Sequence, residues 1–424
     1  MVNVPCRDNV GPEAEAARWE ARAASEHCAS PTDGPPAHFA LPGDENSALG
    51  EAVVCSPFFR LGFLGLTKEA VRARRSSHVN KILVVGGAGY IGSILVRQLL
   101  DDGCEVRVLD QLLFGAQSIR DLSGRKRFHF IEGDFRDSRL VTEALRDTDA
   151  LIHLGAIVGD PACQIDEPAT FETNFVATEL LTRACRESGV GRMIFASTCS
   201  VYGSTSDLVD EKTPLRPLSL YARTKTDSEK ALLSSADSRF HPTVLRVGTV
   251  FGWSPRPRFD LAVNLLTARA YFEGRIAIYN QRQWRPFVHV SDVARAFRLV
   301  LTAPIADVSG QVFNLGSNDM NSRLGEVGQA VQRLYPRVSV DYETNSDARS
   351  YRVCFDKIEQ VLGFRSTRTL LDGMSEIDAA LSKGLVKDPS SPLYHNHKLL
   401  SLPGRELGEQ FSASREFQRK RRQQ

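Results

Sequence analysis

The sequence is short of paired cysteines, of long apolar runs and of net charge. Its eight cysteines (6, 28, 55, 104, 163, 185, 199 and 354) are scattered, with no C-x-x-C pair and no His/Cys cluster at zinc spacing. That excludes a disulfide framework and a structural zinc site, so the thiols read as reduced and cytoplasmic, and no metal is expected. No window approaches the roughly 18 uncharged apolar residues of a membrane helix. The most apolar early run, Phe58 to Leu66, is short and holds Arg60. The N-terminus lacks a basic start followed by an apolar stretch, so neither export nor membrane anchoring is indicated. With 53 Lys and Arg against 51 Asp and Glu, the net charge is +2, which makes no electrostatic case for a nucleic-acid or membrane-surface partner.

What is there is ordinary globular material: 424 residues, 42% hydrophobic and 25% charged, enough to bury a sizeable core. Residues 1–50 hold ten Ala, six Pro and four Gly without a sustained period, so the leader through residue 78 is expected to be disordered. A start codon near Val79 is the other reading of that stretch. From Lys81 the pattern alternates strand and helix. KILVV (81–85) is a continuous apolar run, as in a strand buried on both faces of a parallel sheet. Apolar residues at 91, 94, 95, 99 and 100 then predict a helix over Tyr90–Asp102. EVRVL (105–109), RFHFI (127–131), ALIHL (150–154), RMIFA (192–196) and TVLRV (243–247) continue the series. Repeated βα units predict an α/β fold, a doubly wound, Rossmann-like parallel sheet over 79–250. Beyond Phe251, Pro255, Pro257 and Pro286 interrupt the pattern, and short segments such as Val312–Leu315 predict a smaller substrate lobe over 251–403. The residues from 404 to 424 form a basic tail ending in RKRRQQ, expected to be solvated.

Three constellations carry chemistry. Gly86-Gly87-Ala88-Gly89-Tyr90-Ile91-Gly92 lies between the first strand and the first helix, where glycines let backbone approach a pyrophosphate at a helix N-terminus. Asp110 ends the second strand, where its carboxylate can accept the ribose hydroxyls of NAD and repel the 2′-phosphate of NADP. Tyr221 and Lys225 are spaced i, i+4, so on a helix both face one cleft, and a neighbouring ammonium favours the phenolate that a general base requires. Ser197, Thr198 and Ser200 follow RMIFA at the carboxyl end of a strand, where doubly wound sheets place their ligands.

Taken in this order, the motifs resemble the extended short-chain dehydrogenase/reductase family, in its nucleotide-sugar epimerase/dehydratase branch, from about residue 81 to about 400. The resemblance implies NAD held by Gly86, Gly89, Tyr90, Ile91, Gly92 and Asp110. It adds Asp134 and Phe135 of GDFRD near the adenine, Leu154 and Ala156 of HLGA against the cofactor, and Asn174 in the following helix. It implies Tyr221 as catalytic base, Lys225 as ribose-binding residue, and Thr198 as the hydroxyl bridging Tyr221 and the sugar's 4-oxygen. Arg285 of RPFVHVSD resembles the arginine that holds a sugar-nucleotide diphosphate, and Thr249 falls at a substrate contact. Arg349 and Tyr351, with Arg256 and Arg258, are further candidates for the diphosphate because a guanidinium fork matches phosphate oxygens. A homodimer through helices around 168–188 and 219–238 is also implied.

Departures from the family pattern narrow the chemistry. Similar 4,6-dehydratases carry Asp-Glu after the catalytic hydroxyl, and decarboxylases a Glu at the second of those positions, whereas this chain has Cys199-Ser200. Those side chains do no such acid/base work near neutral pH. The usual Asn is Thr249 and the usual Thr before the first glycine is Val85. An NAD-dependent 4-epimerase acting on a nucleotide sugar is expected. A 4-ketoreductase, a dehydratase or decarboxylase, and a non-catalytic NAD sensor remain as alternatives. Cys199 is expected to line the cleft, and His153 and His289 to be packed.

Overall fold

The computed structural model describes residues 79–403. The leader over 1–78 and the basic tail over 404–424 lie outside the described residues. Seven parallel strands form the main sheet, in the order Gln311–Leu315, His241–Val247, Arg192–Thr198, Ala150–His153, Lys81–Val85, Glu105–Asp110 and Phe128–Glu132. The first three strands in sequence step outward from Lys81–Val85, and the fourth returns to its other side. That reversal opens a crevice at the carboxyl ends, where open α/β sheets bind ligands.

The apolar strands are sealed from both faces. Leu95, Leu99, Val293 and Phe297 pack on one face, and Leu181, Cys185, Leu232 and Phe240 on the other. Each such fully buried side chain contributes about 2 kcal/mol of transfer free energy. The first helix runs Gly92–Asp101, starting two residues later than its apolar spacing predicts because Gly86 to Ile91 form the preceding turn. Val312–Leu315, from the stretch read as the second lobe with sheet elements free to cross between lobes, lies in the edge strand Gln311–Leu315, in parallel register with His241–Val247, and buries Phe313 and Leu315.

Three smaller sheets complete the described chain. Thr249–Phe251 pairs with Trp284–His289, which in turn pairs with Asn321–Arg323. Arg275–Tyr279 pairs with Ser339–Glu343. Phe251, Val263, Phe287, Val331 and Met374 form the core around them. The two-residue pairing of Leu208–Val209 with Arg352–Val353 fastens the 347–353 segment beside the turn after Arg192–Thr198. The stretch around 168–188 is a helix Glu167–Phe171, a π-helical turn Glu172–Val176 and a helix Ala177–Glu187.

Candidate active site at the carboxyl ends of the sheet

The glycine turn is shaped by close backbone approach. Gly86 has φ of +80°, and a Cβ there would stand 2.7 Å from Gly155 N; a Cβ at Gly92 would stand 2.3 Å from Gly86 O. Only glycine fits both positions. Asp110, at the end of its strand, accepts N–H bonds from Ala88 (3.0 Å) and Leu112 (2.9 Å), which tie it to the turn. Burial raises its pKa, and these bonds and the charge of Arg256 oppose the rise. Tyr90 presents only its backbone to this cradle, because its hydroxyl donates to Gly252 O at 2.7 Å and accepts from Asn264 at 3.2 Å.

Ser219 caps the helix Leu220–Ser234 through Ala222 N, which places Tyr221 in the first turn and Lys225 one turn on. The positive end of the helix there favours a phenolate. Thr198 lies near enough to the Tyr221 hydroxyl to draw the phenol's pKa down slightly, and its Oγ1 accepts the Ser200 N–H at 3.1 Å. Lys225 is expected to lower the phenol's pKa, but its ammonium turns away to Ala196 O at 2.9 Å and lies 4.5 Å from the Phe195 ring centroid. Burial is the leading influence on Tyr221 and raises its pKa. Cys163 and Asp160 add to that rise, and Arg258 opposes it. Burial draws Lys225 down from 10.5 to about 8.

A chain of ion pairs connects the second lobe to this site. Asp347 accepts from Arg285 at 3.0 Å and, through both oxygens, from Arg349 at 2.8 and 2.7 Å. Arg349 also reaches Asp160 at 2.5 Å, the carboxylate whose charge acts on Tyr221. Tyr351 meets Ser200 at 3.4 Å and lies under Arg285. Thr198, Arg285 and Arg349 are thus linked through Ser200, Tyr351 and Asp347. Thr249 opens its strand beside Phe287, half-buried, without a role in that network.

Several of the expected site residues already have partners within the chain. Asn174, expected to touch the cofactor, spends its amide on both backbone groups of Ile157 (2.8 and 3.0 Å) and on Thr224. The π turn that carries it rotates it inward, so it positions the loop after Ala150–His153. Asp134 is held by Arg136 through its side chain at 2.9 and 2.6 Å. The Phe135 ring is buried against Gly155 and His153. Leu154 and Ala156 are half-buried just after the strand Ala150–His153. Cys199 does not line the cleft: its fully buried thiol donates to Arg246 O, and burial pushes its pKa up. His153 and His289 are packed as expected, at 1% exposure each.

Behind the hydroxyl motif stands a network that sequence reasoning missed. Arg246 pairs with Glu229 at 2.8 Å and donates to the Tyr202 hydroxyl, which donates to Asn314, and Ser197 donates to Glu229. The missed signal was Arg246 inside the otherwise apolar run TVLRV. Among the described residues no cluster could hold a metal ion, and no helix is long and apolar enough to cross a membrane.

The family model for the NAD-dependent epimerase/dehydratase family matches residues 82–316. A UDP-glucose epimerase of Bacillus subtilis, YtcB, itself uncharacterized, is 31% identical over 314 residues, covering 71% of this chain and 98% of that protein. A dTDP-glucose 4,6-dehydratase of Streptomyces niveus is 29% identical, covering 70% and 91%. The UDP-glucuronic acid 4-epimerase of Bacillus cereus, solved with UDP-glucuronic acid and NAD, superposes with a TM-score of 0.64 at 26% identity, covering 72% of this chain and all of that one.

Proposed function

The chain belongs to the NAD-dependent epimerase/dehydratase family, and from that premise we propose that it is a nucleotide-sugar 4-epimerase working through a transient 4-keto sugar. The observation that carries this reading is the Thr198–Tyr221 pair set beside two positions without a carboxyl. Cys199 is turned into the core and Ser200 faces Tyr351. Dehydration and decarboxylation need an acid or base at these positions. The carboxylate whose charge reaches Tyr221, Asp160, is engaged by Arg349.

The glycine turn, which is packed too closely against its own backbone at Gly86 and Gly92 to admit a Cβ, and the carboxylate of Asp110 fit a dinucleotide with free ribose hydroxyls. When bound, the nicotinamide supplies a reversible hydride acceptor for the sugar's C4. Tyr221 takes the proton from the 4-hydroxyl and later returns it, and Thr198 holds both oxygens in line. Lys225, released from Ala196 O, can hydrogen-bond a ribose and bring its charge toward the phenol. Arg285 and Arg349 hold the sugar nucleotide's diphosphate in exchange for part of their contact with Asp347. Rotation of the keto sugar before hydride return gives the epimer.

We further read the protein as a homodimer through the helices around 168–188 and 219–238. The exposed apolar side chains Phe171, Val176 and Leu218 on or beside those helices support it. The five described cysteines are free, which supports a reducing, cytoplasmic setting. The purified protein is to be incubated with UDP-, dTDP-, GDP- and CDP-hexoses, with products separated and absorbance of reduced cofactor followed. Epimer without net NADH supports the proposal, and stoichiometric NADH consumption by a keto sugar supports a ketoreductase instead. Tyr221→Phe is expected to abolish turnover while leaving NAD bound.

A further inference from the structure

Arg256 is a buried cation without an ion-pair partner among the described residues. It is 6% exposed, and its Nε meets no hydrogen-bond partner there. One terminal nitrogen donates to the neutral amide of Asn396 at 2.7 Å, and the guanidinium lies 3.7 Å from the centroid of the Phe114 ring. The nearby Asp260 is taken by Arg258 at 2.9 and 3.0 Å and by the Asn396 N–H at 3.0 Å. A buried charge in this state is costly unless an anion joins it. Burial and the neighbouring Arg258 draw its pKa down to about 9, against Asp260, Tyr90 and Asp110.

Its place tells which anion. The Gly252–Arg256 loop is bonded to the glycine turn and the first helix: Ser254 donates to Tyr90 O at 2.7 Å and meets Ser93 Oγ at 3.0 Å, and Gly252 O accepts from Tyr90. Phe114, on which the guanidinium rests, follows Asp110 by four residues. Arg285 and Arg349 sit elsewhere, on Asp347 and beside Tyr351 and Ser200. We infer that Arg256 reaches from the second lobe to the diphosphate of the dinucleotide cofactor, completing the cradle begun by the backbone N–H groups of the glycine turn and the helix Gly92–Asp101. The inference rests on cofactor binding by this site, and it separates Arg256 from the arginines assigned to the sugar nucleotide. Asn396, which also donates to Val158 O at 3.0 Å, holds the guanidinium in place.

The test measures binding by calorimetry on the full chain, for Arg256→Met, Arg256→Lys and Asn396→Ala, with ADP-ribose, adenosine and UDP as probes. Arg256→Met is expected to weaken ADP-ribose by about ten- to a hundredfold, the loss of one charge-assisted bond, and to leave adenosine and UDP unchanged. Arg256→Lys is expected to recover part of that loss, and Asn396→Ala to lose a few-fold. The ligand-free Arg256→Met protein is expected to melt no lower than wild type, because an uncompensated charge has been removed. A loss of UDP binding with ADP-ribose intact would move Arg256 to the sugar nucleotide and overturn the inference. A lower ligand-free melting temperature with equal losses for all probes would make the residue structural and also overturn it. Tight ADP-ribose binding without turnover of any nucleotide sugar would sink the epimerase proposal while leaving this inference standing.

Discussion

Replacing Lys225 with Met is expected to make the cofactor-free protein more stable at neutral pH. The ammonium is 2% exposed, and burial holds its pKa at about 8 instead of 10.5. At about 1.4 kcal/mol per pH unit, that gap is a burden of roughly 3 kcal/mol on the folded state. Losing the hydrogen bond to Ala196 O costs about 1 kcal/mol, so the net gain is about 2 kcal/mol. Below pH 8 the lysine is protonated in both states and the burden is complete. Between 8 and 10.5 the unfolded chain binds the extra proton, so wild-type stability from this group rises with pH. Above 10.5 both states are neutral and the burden is gone. The assay is equilibrium unfolding in urea at intervals from pH 7 to 10, on both proteins without cofactor. The variant should lead at pH 7, its lead should shrink with rising pH, and turnover should fall. A variant less stable than wild type at pH 7, or a difference that does not change with pH, would refute the reasoning.

Glu229→Ala leaves Arg246 buried and unpaired, and a urea titration should read a loss of about 3–5 kcal/mol. Gly86→Ala forces a side chain onto a φ of +80° and against Gly155 N; a cost of about 1–3 kcal/mol and the loss of NAD binding are expected by unfolding and calorimetry. Asp110→Asn removes the carboxylate that opposes a 2′-phosphate while Arg256 remains beside it, so the ratio of NAD to NADP affinity should fall by at least tenfold, as read by competitive binding.

The sequence made the parallel sheet legible because strands buried on both faces are continuous apolar runs, and Lys81–Val85 is one. The placement of the glycine turn, of Asp110 and Thr198 at strand ends and of Tyr221 and Lys225 on the helix Leu220–Ser234 was legible because local spacing sets it. What spacing cannot carry is where a long side chain points. Lys225 shares a face with Tyr221, yet its flexible stem delivers the ammonium to Ala196 O. Asn174 sits on the expected helix stretch, but a π turn redirects it to Ile157. The Val312–Leu315 segment reads like any short strand, and only its pairing with His241–Val247 assigns it to the main sheet. The Arg349–Asp160 contact spans 189 residues of sequence, beyond the reach of any local pattern.

The most direct test of the central claim follows deuterium placed at C4 of a nucleotide hexose. NMR of the products should find both C4 epimers near equilibrium, with deuterium retained at C4 and no accumulated NADH. A 4-keto-6-deoxy product with deuterium moved to C6 would contradict the account.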